Sequence, residues 1–97
     1  MNTFATRILA APAGLEEVIK ALDGDERDVR EIQGELGGNA VREFNRTFSQ
    51  MSPLSQGNFI TMLQRYLDGE RVERAFRNMC EDQGIDWRVV KAFDDTF

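Results

Sequence analysis

At 97 residues the chain has room for one ordinary domain, and 41% apolar residues with 17 acids against 12 bases, a formal charge of −5, describe a globule with a real but small core. Histidine is absent and Cys80 stands alone, which removes the usual general base, the usual metal ligand, every His-dependent nucleophilic dyad and any internal disulfide. No window approaches the roughly 18 apolar residues of a membrane span, and Met1 to Ala13 lacks the ~7 to 15 apolar residues of a signal peptide, so the expected location is the cytoplasm.

Apolar spacing is helical nearly throughout, and no segment combines strict alternation with β-branched and aromatic content. The expected fold is all-α: a compact single-domain bundle of five to seven short helices over residues 1–97. Phe4, Ile8 and Ala11 predict a short helix in the first eleven residues. Leu15, Val18, Ile19 and Leu22 follow at i, i+3, i+4, i+7 behind Pro12, predicting a helix from Pro12 to Leu22 that Gly24 stops. Asp25 caps the next segment, where Val29, Ile32 and Leu36 recur before Gly37 and Gly38 end the pattern.

Asn39 offers a further cap for a helix carrying Val41, Phe44, Phe48 and Met51 on one face, which must finish before Pro53. From Leu54 to Leu67, Phe59, Ile60, Met62, Leu63, Tyr66 and Leu67 cover more than one stripe, which predicts a centrally placed helix ending near Gly69. Val72, Ala75, Phe76, Met79 and Cys80 then form a stripe closed by Gly84. A last helix from Asp86 turns Trp87, Val90, Phe93 and Phe97 inward. No repeat or linker divides the chain, although residues 1–38 form an acidic part and 39–97 a larger one.

The charge is unevenly placed. Between Glu16 and Glu35 eight carboxylates meet three bases, while the rest of the chain is neutral. Because the apolar residues of this segment keep helical spacing, its carboxylates belong on the solvent side of two short helices, where they sum to a local negative field. Glu16, Glu17, Asp23, Asp25, Glu26, Asp28 and Glu31 are therefore the candidate contact residues for a basic partner. Ordinary capping and helix-dipole effects account for acids early in a helix as well. Ten of the twelve bases are arginine; Arg71, Arg74 and Arg77 read as a basic row on one helix, and Arg42 and Arg46 stand a turn apart.

Asp23-Gly24-Asp25 begins like a calcium loop, but Arg27, Asp28 and Gly34 stand where a ligand, the required Gly and the bidentate Glu belong, so no metal site is expected. Cys80 reads as core, no glycine-rich phosphate loop is present, and no cofactor is implied. Two carboxylates can cleave a glycoside without histidine, but a domain of short helices has little room for a desolvating cleft. Met79, Cys80, Gly84, Ile85, Val90 and Phe93 fit helix-turn-helix spacing within residues 70–95, in which case Arg88 and Lys91 would face DNA. Asp86, Asp94 and Asp95 oppose them, as does a pI of 4.7.

The expected function is that of a small acidic regulator or inhibitor without catalytic activity that docks on the basic surface of another protein. Phage-type inhibitors such as anti-CRISPR proteins belong to this class, and the groove of a nucleic-acid-binding protein is one such surface. The alternatives are a DNA-binding regulator built on the 70–95 hairpin and a homo-oligomer joining the Arg row to a neighbour's acidic helices.

Overall fold

The computed structural model describes residues 14–97, and among these the protein is all-α. The helices are α1 (Leu15–Ala21), α2 (Glu26–Leu36), α3 (Gly38–Gln50), α4 (Pro53–Leu67), α5 (Glu73–Gln83) and α6 (Trp87–Thr96). Phe4, Ile8, Ala11 and Pro12, with the short helix expected on the first of them, lie outside the described residues.

Local chemistry sets most boundaries. Asp25 forms a full capping box: its carboxylate accepts from the Arg27 and Asp28 amides, and Asp28 accepts from the Asp25 amide at 2.8 Å. Ser52 caps α4, where Pro53 fits because an N–H in the first turn has no helical partner, and Asp86 caps α6. Gly84 takes the left-handed conformation at φ 75 and ends α5. Gly37, at φ 86, closes α2 and opens α3, so α3 begins ahead of the expected cap; Asn39 lies inside its first turn and accepts from Arg42 instead.

Two boundaries need tertiary partners or an unexpected residue. α1 starts behind Gly14, which has no capping side chain, and Asn45 of α3 accepts from the Leu15 amide at 2.8 Å in its place. At the other end of α1 the left-handed residue is Asp23, at φ 62, not Gly24. Gly24 is needed for a different reason: a Cβ there would lie 2.6 Å from Ile19 Cγ2 and 2.7 Å from Phe97 Cζ.

One continuous core runs from Leu15 to Phe93 and joins the acidic first helices to the rest. Its centre is aromatic, with Phe59 of α4 meeting Phe44, Phe48 and Phe76 at ring-centroid distances of 5.8, 5.8 and 5.5 Å. Phe76 continues to Trp87 at 5.3 Å, and Tyr66 joins both rings. Helix α4 sits centrally, as its apolar spacing predicts, packing on α5 and α6 and reaching α3 through Phe59, while α6 buries the larger share of its residues. Val89, Val90, Ala92 and Phe93 are all buried, because α6 lies between α2 and α4 and needs an apolar surface toward each. Phe97 instead stays 45% exposed and stacks on Phe93, and Ala75 of α5 is exposed.

Candidate functional site

Helix α6 runs antiparallel to α2, since Phe97 reaches Gly24 before α2 begins while Arg88 and Leu36 line one depression at its far end. On α2, Asp28, Glu31 and Glu35 recur at i, i+3, i+7 along the flank that borders α6. Arg27 and Arg30 share the exposed side of α2 with Glu26 and Glu31, and Glu35 stands at the edge of the α2–α6 seam. Asp95 of α6 enters this edge and meets Glu35. Desolvation there, Asp95 beside it and Glu31 one turn away hold the Glu35 carboxyl above its ordinary value.

The predicted acidic residues divide by their local duties. Asp25 serves the cap and pairs with Arg27 at 3.1 Å, and the Arg27 guanidinium, with the Asp28 amide, holds its carboxyl below the usual range. Asp28 completes that cap, and Glu26 stands 3.9 Å from Arg30. Glu16, Glu17, Asp23 and Glu31 make no ion pair among the described residues. Glu16 and Glu17 lie in the first turn of α1, one helix length, about 10 Å, from Asp23. The acids are thus strung along two helices and their turn, without a single tight cluster.

Sequence reasoning missed two members of this surface as contact candidates, Glu35 and Asp95. Glu35 was legible as the continuation of the i, i+3, i+7 stripe begun by Asp28 and Glu31. Asp95 carried no such signal, because it joins the surface through the α2–α6 packing alone.

The basic residues are placed differently from the expected row. Arg71 precedes α5 and is not on that helix, whereas Arg74 occupies its first turn; together with Tyr66 and Asp94 they line an open depression. Arg77 binds Glu73 at 3.2 Å and stacks its guanidinium 4.5 Å from the centre of the Trp87 ring. Arg88 binds Asp86 at 2.9 Å, which raises the guanidinium's proton affinity and lowers that of the carboxyl; Lys91 lies 3.8 Å from Asp94. Helix α6 is the second helix of the expected hairpin, and packing between α2 and α4 occupies much of its surface. Its outer strip mixes Arg88 and Lys91 with Asp94 and Asp95.

Cys80 is buried, and burial pushes its thiol up to about 12, so it is protonated at neutral pH. Among the described residues no group of three or more Cys, Asp or Glu side chains is placed to hold a metal ion, and no helix is long and apolar enough to cross a membrane.

A groove of about 550 Å³ opens where the C-terminal end of α1 meets α4, lined among others by Leu22, Asp23, Gln64, Asp68 and Phe97. Gln64 bridges its walls by donating to the Ala21 carbonyl at 3.4 Å. Comparison with known protein families, curated proteins and solved structures finds no match to this chain.

Proposed function

We propose that this protein acts by docking its α1–α2 surface onto a basic surface of another protein, as a regulator or inhibitor without chemistry of its own. The observation that carries the reading is the gathering of Glu31, Glu35 and Asp95. Three carboxylates from two helices meet at one edge, and the bases that line the same depression, Arg88 and Lys91, are engaged by Asp86 and Asp94. Like charges held together cost folding free energy, and a cationic surface arriving from outside would relieve that cost.

The same field would speed encounter, because carboxylates without an ion-pair partner among the described residues steer a cationic surface over several ångströms before contact. A groove that ordinarily receives phosphates is a fitting target, with carboxylates in the phosphate positions.

The test begins with recovery of the partner from host cells on immobilised protein, followed by association kinetics at several salt concentrations. Reversing Glu31, Glu35 and Asp95 to Lys should slow association at least tenfold at low salt and flatten its salt dependence. An unchanged rate constant would reject the reading.

A further inference from the structure

We infer that the groove between α1, α4 and Phe97 receives an arginine side chain of the basic partner, and so forms the specific anchor of a surface whose other acids act at longer range. The inference rests on the docking reading for its biological setting, but the groove's own chemistry points to the ligand. Two helices end at it: α1, followed by Leu22 and Asp23, and α4, capped by Asp68. A helix C-terminus carries partial negative charge on its last carbonyls and favours a cation.

The last turn of each helix holds one base, Lys20 on α1 and Arg65 on α4, but an aspartate follows each helix, where a carboxylate is unfavourable for the isolated helix, and neither Asp23 nor Asp68 has an ion-pair partner among the described residues. Asp23 also adopts the left-handed conformation, at φ 62, that glycine would take with less strain. The basic side chain at the rim, Arg65, is held by Glu70 at 2.9 Å and leaves the local charge negative.

Leu22, Leu67 and the Phe97 ring supply the apolar part of the lining. Phe97 is one of two large hydrophobic residues left exposed among the described residues, and Gly24 fixes its place by letting the ring edge approach the backbone. An aromatic face beside two carboxylates and two helix C-termini fits a planar guanidinium, which stacks and forks in ways an ammonium does not.

The test uses the full chain, labelled with nitrogen-15 and titrated at low salt with acetyl-Gly-Arg-Gly-amide and its lysine and citrulline counterparts. Saturable shifts at Thr61, Gln64, Asp68 and Phe97 are expected with the arginine peptide, weaker ones with lysine and none with citrulline, which keeps the shape but lacks the charge. Asp23→Asn with Asp68→Asn should abolish the shifts; asparagine tolerates the left-handed conformation, so the turn is preserved. Phe97→Ala should weaken binding about fivefold.

Shifts confined to Asp28, Glu31, Glu35 and Asp95 would overturn the groove assignment while leaving docking by the acidic edge in place. Equal shifts with citrulline would also overturn it, as would groove shifts that follow protein concentration without peptide, the sign of a second copy, or contacts from residues 1–13 to the Phe97 ring. Conversely, partner association unaffected by charge reversal at the α2–α6 edge would remove the broader reading without touching the peptide result.

Discussion

Glu35 of α2 and Asp95 of α6 meet across the α2–α6 seam, in a depression that Arg88 and Lys91 also line while pairing with Asp86 and Asp94. Desolvation and the charge of Asp95 make the folded protein hold the Glu35 proton more tightly than the unfolded chain does. Glu35 therefore opposes folding above its raised pKa; the effect fades as pH falls through that value and is gone below the ordinary 4.5, where both states are protonated. Glu35→Gln should raise the melting temperature at pH 7 and leave it nearly unchanged at pH 4. Thermal scans by circular dichroism at the two pH values measure the difference, and equal shifts at both would contradict the pairing.

Asp25 behaves in the opposite sense. Its carboxyl is held below the usual 3.8 by Arg27 and by the Asp28 amide, so its stabilisation is present above 3.8 and disappears as pH falls through the lower folded-state value. Asp25→Ala should destabilise the protein at pH 7 and progressively less in strong acid, read from urea midpoints across that range.

Adjacent residues at the α1–α2 turn should respond to small substitutions with opposite signs. Asp23→Gly relieves a left-handed backbone and removes a carboxylate from a helix C-terminus, and should stabilise by about 1 kcal/mol. Gly24→Ala drives a methyl against Ile19, Phe97 and Asp28 and should cost about 1–3 kcal/mol. Urea unfolding of the two variants decides the matter; stabilisation by both would show that the turn is looser than described.

Asn45 is the tertiary cap of α1. Asn45→Ala leaves the Leu15 amide without its acceptor and should cost about 1 kcal/mol, with the loss of amide-exchange protection concentrated in Leu15 to Ile19. Protection lost evenly along the chain would instead mean that the side chain serves general packing.

Phe59 touches three other aromatic rings and is fully buried. Phe59→Ala should cost about 3–5 kcal/mol, a large share of the roughly 5–15 kcal/mol available to a domain of this size. Cys80 offers a convenient reporter: its buried thiol should resist a disulfide reagent in the native parent and react quickly in the variant if the core opens.

Much of the fold was legible because helices carry local signals. The spacing of Val41, Phe44 and Phe48, the Asp25 cap, the limit set by Pro53 and the Gly84 stop each lie within a few residues of the structure they specify. The spacing on α4 marked it as central, but the deeper burial of α6 was not legible, because apolar count measures how much surface a helix must cover, not how many neighbours cover it. Small residues such as Ala92 let α6 sit close to α2, and their contribution is invisible to a count of large side chains. The candidate surface was half legible for a related reason. The stripe on α2 follows helical periodicity, whereas Asp95 reaches it from the far end of the chain.

By itself, then, the amino-acid order determined the all-helical character, the caps and stops, and the concentration of negative charge between Glu16 and Glu35, since each depends on residues a turn or two apart. Tertiary structure decided which of those charges pair among the described residues, which carboxylate joins them, and that Asp23, Asp68 and Phe97 share one groove. Those outcomes depend on how helices pack, because a salt bridge or a groove is formed wherever two surfaces meet, and no local pattern records the meeting.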